Sequence, residues 1–219
     1  MKTQKSMATL AGAALIALIA AAPTRADTLI FYPTDDAFLE EYSPGVNFGS
    51  WDMMVARNTG SGPWEEDPLV RFDISSVPPG TEIASATLHL YYYRWDDHYP
   101  GGRPLICRRI TSDWDEETVT WNTRPGWASE ITDQTNVPDS YQWMEWGVTD
   151  DVQAFVNGEE NDYGWVIRDE TYWSGSDIPR TFFRSKEYGA YVPYLEVIPT
   201  PGTLALLAIG GLATHRRRR

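Results

Sequence analysis

The sequence has few of the residues that cross-link small exported domains or hold zinc. Cys107 is the only cysteine among 219 residues, so an intrachain disulfide is excluded and the fold must depend on its hydrophobic core. His89 and His98 are the only histidines between residues 27 and 198, and their spacing matches no zinc site. The sequence also contains neither a nucleophile elbow nor a phosphate-binding loop, which removes two common kinds of active site.

Positive charge is scarce as well. The chain contains 18 basic and 31 acidic residues, but seven of the basic ones lie outside residues 27–198, which leaves 11 against 31 and a net charge of −20. Lys186 is the single lysine of that segment. Because a surface this acidic repels phosphate groups, we exclude nucleic acids and anionic membranes as partners.

The first 26 residues have the pattern of a secretory signal peptide. Lys2 and Lys5 form a positive n-region, and Met7–Ala22 is an apolar segment that is short for a membrane span. Cleavage is expected after Thr24-Arg25-Ala26, and an uncleaved N-terminal anchor is the alternative. We therefore predict an exported protein whose mature domain spans residues 27–198.

Residues 199–219 have the pattern of a second processing signal. Gly202–Thr214 would rise about 20 Å as a helix, less than the roughly 30 Å of a hydrocarbon core, and Arg216–Arg219 would stay at the cytoplasmic face. The layout resembles the PEP-CTERM sorting signals of Gram-negative bacteria, with Pro199-Thr200-Pro201 in place of Pro-Glu-Pro. The resemblance implies an exosortase-type sorting enzyme as a partner, membrane contact only transiently through this tail, and a final location outside the cell or at its surface. A plain hydrophobic tail is the alternative.

Residues 69–93 carry the clearest strand pattern. Apolar side chains alternate with side chains of the opposite face in Leu69–Ile74 and again in Leu88–Tyr93, which predicts two half-buried strands. Pro78-Pro79-Gly80 between them cannot continue a hydrogen-bonded ladder, because proline has no N–H.

Short strands are predicted along the rest of the chain at regular spacing. They are Thr28–Tyr32, Met53–Arg57, Pro104–Ile110, Trp143–Val148, Tyr163–Arg168, Thr181–Arg184 and Val192–Val197. Asp150–Gly158 is the single predicted helix, capped by Thr149 or Asp150, and Gly126–Tyr141 is predicted to be a long loop. Trp114–Pro125 is predicted to be an ordered connection whose tryptophans pack on the domain and whose acids face water. Nine to eleven short strands with one short helix predict an all-β, jelly-roll-like β-sandwich.

Several motifs follow one another in a fixed order across residues 36–197. They are Asp36-Ala37 and Asn47-x-Gly49; Leu69-Val70-Arg71-Phe72-Asp73; Trp114-x-Glu116-x-x-Val119-Thr120-Trp121-Asn122; Asn157-Gly158 and Tyr163-Gly164; and Phe183-x-Ser185-x-Glu187. In this order they resemble the DNRLRE domain, the fold of carbohydrate-binding module family 96, with Lys186 where that family often has arginine. The resemblance implies a jelly-roll sandwich that binds polysaccharide, with alginate-like uronans among the ligands.

The candidate ligand-binding side chains are aromatic or basic and lie in or beside predicted strands: His89, Tyr91, Tyr93, Arg94, Trp95 and Trp173. Tyr91 and Tyr93 share a strand face, and alternate tyrosines make a flat surface on which sugar rings stack. Four arginines between residues 94 and 109 would favour an anionic polysaccharide, whereas a neutral glycan would depend on the tyrosines alone. A loop that covers this face is the alternative.

Charged residues allow three further interpretations. The motif residues Arg71, Asp73, Arg184 and Glu187 are expected to pair with each other rather than with a ligand. Acidic pairs such as Asp35-Asp36 supply the oxygens that calcium prefers, so the sequence allows one structural calcium. The spacing of the acids does not identify where it would bind. Paired carboxylates are also the machinery of glycoside hydrolysis. The sequence favours a non-catalytic, exported polysaccharide-binding module of the bacterial surface or matrix; a structural matrix protein without a sugar site and a polysaccharide lyase or hydrolase are the alternatives.

Overall fold

A computed structural model describes residues 27–58, 60, 62–173 and 177–201. The signal peptide predicted for residues 1–26 and nearly all of the tail predicted for residues 199–219 lie outside the described residues. Within the described ranges, no helix is both long enough and apolar enough to cross a membrane.

Eleven strands and one α-helix make up the regular structure of the described ranges. The strands are β1 (Leu29–Phe31), β2 (Pro33–Glu40), β3 (Met53–Arg57), β4 (Glu66–Phe72), β5 (Ile83–Asp96), β6 (Pro104–Arg109), β7 (Asp133–Asn136), β8 (Gln142–Gly147), β9 (Trp165–Arg168), β10 (Arg180–Arg184) and β11 (Tyr194–Pro199). The helix α1 spans Thr149–Asn157, and two short 3-10 turns span Trp121–Thr123 and Lys186–Tyr188.

The strands form one antiparallel sheet in the order β1-β11-β5-β10-β3-β4-β9-β6-β7, with β2 beside β4 and β8 beside β5. β3 meets β4 at the Arg57–Glu66 pair, where the sheet curls so that its two halves face each other. One apolar core fills the space between the halves, and it contains Leu88 and Leu90 from β5 together with Phe72 from β4 and Trp165 from β9. This arrangement confirms the predicted all-β sandwich.

The half-buried alternation predicted for residues 69–93 is confirmed in β5 but not in β4, where Leu69 and Val70 point to opposite faces and are both 0% exposed. Leu88, Leu90 and Tyr92 are 0–1% exposed in the main core. Their two strands, β4 and β5, are not neighbours in the sheet, because β10 and β3 lie between them. The connector between the strands therefore crosses from one half of the sandwich to the other, since the two strands bury their apolar faces from opposite sides of the core.

The segment Trp114–Pro125 packs on the outer side of β2, β4 and β9, as expected. Trp114 is 6% exposed, and its indole N–H donates to the Tyr163 carbonyl over 2.9 Å. It closes a second apolar cluster that contains Leu39, Leu69 and Val166. The outer face of β2, β4 and β9 is therefore covered where this segment lies, which excludes that area as an open binding surface.

Three details of the sequence-based expectations are wrong. The loop predicted for Gly126–Tyr141 contains β7, whose sequence Asp-Gln-Thr-Asn has no apolar alternation and which pairs with β6. Neither Thr149 nor Asp150 caps α1: the N-cap is Val148, no side chain makes a capping hydrogen bond, and the Thr149 hydroxyl accepts from the Ala86 N–H over 3.0 Å. Glu116 does not face water: it accepts from the Asp36 N–H and contacts Lys186.

Candidate functional site

Aromatic side chains cover the outer surface of β5, β8 and β11, on the side away from the core. The register sets Tyr91 opposite Trp143 on β8 and His89 opposite Tyr194 on β11. Directly opposed residues of antiparallel strands point to the same face, so these four side chains meet there. Tyr191, from the loop before β11, completes the group. We call His89, Tyr91, Trp143, Tyr191 and Tyr194 the aromatic face.

The rings of the aromatic face pack in two stacked pairs. Tyr91 stacks on Tyr191 with ring centres 4.2 Å apart, and His89 stacks on Tyr194 at 4.1 Å. Trp143 lies edge-on to both pairs, 5.3 Å from Tyr91 and 5.0 Å from Tyr194. Offset-stacked and edge-on contacts are the favourable arrangements of aromatic rings, so the five side chains hold one another in place.

His89 supports this surface from below. Its side chain is 8% exposed, and burial lowers its pKa although the Glu145 carboxylate, 3.5 Å away, opposes the shift. The imidazole is therefore neutral near pH 7. Among the predicted ligand-binding residues, His89 is buried beneath its aromatic neighbours, and a ligand contact there stays a prediction.

Tyr191 is the most exposed ring of the aromatic face, at 54%. Its backbone has φ 54°, in the left-handed region that residues other than glycine rarely adopt. The loop before β11 thus covers Tyr91, which was the alternative to an open tyrosine surface. The residue that this loop places over Tyr91 is itself a tyrosine, Tyr191. An aromatic surface is still presented to solvent, because Tyr191 stacks on Tyr91 from outside.

A groove of about 340 Å³ runs beside Trp143, between β7 and β8. Thr135, Asn136, Gln142 and Glu145 line it with hydroxyl, amide and carboxylate groups. Amide side chains both donate and accept hydrogen bonds, as sugar hydroxyls require of a partner. Apolar ring surface and polar groups therefore lie next to each other on this half of the sandwich.

Tyr93 and Arg94 lie farther along β5 and are engaged separately. The register between β5 and β10 shifts at Phe182/Phe183, which leaves Tyr93 in a bulge. The Arg184 guanidinium lies 3.5 Å from the Tyr93 ring centre. Arg94 lies over Phe182 at 4.7 Å and pairs with Asp96 at 2.7 Å.

The predicted tryptophans form two other groups. Trp95 meets Tyr99 edge-on at 5.6 Å, and Trp173 lies 4.7 Å from His98 and 5.2 Å from the Arg103 guanidinium. The structure thus brings His89 and Tyr91 together and places the other four candidates at separate positions. A ligand contact at each of those four stays a prediction.

The arginines between residues 94 and 109 do not form a positive patch. Arg103 makes a buried two-point pair with Asp169 at 2.8 and 2.9 Å, Arg108 pairs with Glu170, and Arg109 pairs with Glu160. Of the ten arginines in the described part of the chain, all but Arg124 and Arg184 pair with a carboxylate. Local positive charge is therefore neutralised.

The four charged motif residues pair with other partners than each other. Arg71 binds Asp35 at 2.9 Å and Asp113 at 2.7 Å, and Asp73 accepts from the Ser75 N–H over 2.9 Å. Glu187 lies 3.4 Å from Lys186. The expectation that the four residues pair with each other is therefore wrong, because Arg71, Asp73 and Glu187 contact other groups of the protein. Arg184 lies against the rings of Tyr93 and Tyr188.

A second open groove, of about 600 Å³, lies between Arg71, Asp73 and α1. Burial raises the pKa of Asp162 on its wall to about 7, and one Asp162 oxygen has no hydrogen-bond partner among the described residues. The aromatic rings in its lining, Phe72 and Phe155, are buried. This groove offers polar groups without the exposed ring that stacking on a sugar requires.

One group of side chains has the geometry to hold a metal ion. Asp36, Glu116 and Glu187 each offer a carboxylate oxygen, and within the described residues these oxygens lie within 4.8 Å of one another. Burial, and then the neighbouring Glu187, raises the pKa of Asp36.

Comparison with known proteins places the chain in a family. The model of carbohydrate-binding module family 96 matches residues 27–199, which include the aromatic face as well as Asp36, Glu116 and Glu187. No curated protein matches the chain.

Proposed function

Because the chain belongs to carbohydrate-binding module family 96, we propose that it is a non-catalytic, exported polysaccharide-binding module and that the aromatic face is its binding surface. The observation that carries the proposal is the position of Trp143. Its ring lies between two stacked aromatic pairs and beside a groove of hydrogen-bonding side chains. An extended glycan can place a sugar face on the rings and its hydroxyls in the groove.

The ligand of this surface is a neutral polysaccharide. Glu145 and Glu196 flank the aromatic face, and both carboxylates act on His89. Residues 27–198 carry a net charge of −20, and the arginines nearby are paired with acids. A polyanion would meet repulsion within about 8 Å of the surface at physiological salt. Stacking and neutral hydrogen bonds carry no such penalty.

Binding by an open sheet surface also separates this function from catalysis. Glycosidases hold two carboxyl groups about 5–9.5 Å apart across the bond they break. The aromatic face instead lies on the outer surface of the sheet, where Tyr191 is 54% exposed. The same surface distinguishes the protein from a purely structural matrix protein, which needs no aromatic surface of this kind.

The test is affinity electrophoresis of the protein through gels that contain neutral or anionic polysaccharides, at 50 mM and 500 mM salt. We expect retardation by at least one neutral polysaccharide, with the same dissociation constant at both salt concentrations, and no release of shortened chains or of unsaturated ends. Retention by polyanions alone, lost at high salt, would contradict the proposed ligand class. Cleavage products would contradict the non-catalytic function.

Export is supported by the two terminal signal patterns. The protein recovered from culture fluid is expected to lack residues 1–26 and the arginines at 216–219, as an intact-mass measurement will show. A mass that includes the four C-terminal arginines would contradict removal of the tail by a sorting enzyme.

A further inference from the structure

Three carboxylates from distant parts of the chain meet at one point on the edge of the sandwich. Asp36 lies in β2, Glu116 in the segment that covers the second apolar cluster, and Glu187 in the 3-10 turn after β10. One oxygen of each lies within 4.8 Å of the other two. We call Asp36, Glu116 and Glu187 the carboxylate cluster.

Asp36 is the innermost member, with 0% of its surface exposed. Its Oδ2 accepts from the Lys186 N–H over 2.8 Å, but its buried Oδ1 has no hydrogen-bond partner among the described residues. Leaving a carboxylate oxygen buried without a donor costs free energy, so such an atom normally has a partner. The side chains nearest to it include two further carboxylates, which supply no hydrogen-bond donor when they are ionised.

The negative charge of the carboxylate cluster is also only partly compensated. Lys186 is the only ammonium group in the described residues, and its Nζ contacts Glu116 and lies 3.4 Å from Glu187. When all three carboxylates are ionised, they and the Lys186 ammonium together carry a net charge of −2. A single divalent cation compensates this charge and gives Asp36 Oδ1 a partner.

The surroundings hold Glu116 in place. The Asn47 amide donates to the carbonyls of Glu116 and Val119, both over 2.7 Å, and the Asp36 N–H donates to Glu116 Oε1 over 3.2 Å. Gly49 lies so close that a Cβ there would be 2.2 Å from the Glu116 carbonyl oxygen. Asp36 and Glu116 are thus held in position before any ion binds, which reduces the entropy lost when the ion is bound.

We propose that Asp36, Glu116 and Glu187 bind one divalent cation, and that calcium is the ion. The donors are all carboxylate oxygens, which hard cations prefer, and the cluster includes neither histidine nor cysteine, the usual ligands of zinc. Waters complete the coordination shell. The Lys186 ammonium competes with the ion for Glu116 and Glu187. The bound ion ties together β2, the covering segment and the turn that leads to Tyr191, and it does not depend on the proposed sugar site.

Isothermal titration of CaCl2 into the EDTA-treated protein tests this proposal directly. We expect one equivalent of calcium to bind and the melting temperature to rise by about 5 °C at saturation. Glu187→Gln removes one charge from the cluster and is expected to weaken binding at least tenfold. Glu117→Gln, one residue beyond Glu116 and exposed, is the matched control and should bind as the unaltered protein does.

Lys186→Met is expected to change the affinity for calcium in the direction opposite to Glu187→Gln. Removing the competing ammonium is expected to tighten calcium binding about tenfold, whereas in a cluster that only forms internal ion pairs it would destabilise the protein without any calcium binding. Absence of binding by the unaltered protein would overturn the proposal. So would calcium binding that neither Glu187→Gln nor Lys186→Met changes.

Discussion

Trp143→Ala is expected to reduce the affinity for a retained neutral polysaccharide about 10- to 100-fold, the range of a central aromatic contact in an interface. The ring supports both stacked pairs of the aromatic face and lines the polar groove, so its loss removes stacking area and loosens the neighbouring rings. Calorimetric titration with an oligosaccharide of the same polymer measures the change.

Trp95→Ala is the matched control for this experiment. Trp95 is 39% exposed and meets Tyr99 rather than the aromatic face, so its removal should change affinity less than about twofold. Both variants should melt within a few degrees of the unaltered protein, because neither ring lies in the main core. An unchanged affinity in Trp143→Ala with a large loss in Trp95→Ala would move the site to the loops around Trp95 and Trp173.

Gly164→Ala is expected to lower the free energy of unfolding by more than about 4 kcal/mol, or to prevent folding, which places it among the most severe single substitutions. Gly164 has φ 77°, and a Cβ there would lie 1.9 Å from the Val70 carbonyl oxygen and 2.8 Å from Arg71 Cα. These are backbone atoms of β4, the strand that pairs with β9 just after Gly164. The clash can be relieved only by moving strands apart. Urea denaturation followed by tryptophan fluorescence gives the value.

Gly158→Ala is the matched control, because it measures the effect of a left-handed backbone on stability without a steric clash. Gly158 ends α1 with φ 70°, and a Cβ there would meet nothing within 4 Å. Its substitution carries only the cost of a left-handed backbone, about 1–2 kcal/mol. Equal losses of stability in the two variants would show that the close approach of Gly164 to β4 is not what makes that glycine necessary.

Gly158 and Gly164 show which structural requirements can be predicted from sequence and which cannot. Asn157-Gly158 and Tyr163-Gly164 look alike as motifs, and the pattern of the preceding helix explains Gly158. Nothing local distinguishes Gly164, because the atoms that exclude a side chain there belong to a strand about ninety residues earlier. The loss of stability expected from Gly164→Ala therefore depends on packing between segments that are distant in the chain.

Local pattern was sufficient for the all-β class, for the strands around residues 69–93 and for the helix, because alternation and breaker residues act over a few positions. It also identified Tyr91 and the support residue His89 of the aromatic face. It could not supply Trp143, Tyr191 and Tyr194, since a sequence does not state which strands are neighbours: β8 and β11 lie on either side of β5 although the three are far apart in the chain. The same reason applies to Asp36, Glu116 and Glu187, which are three acids among 31 until the curled sheet brings them within 4.8 Å. Fold class is thus a local property of this chain, whereas both of its candidate sites depend on the order in which the strands pair.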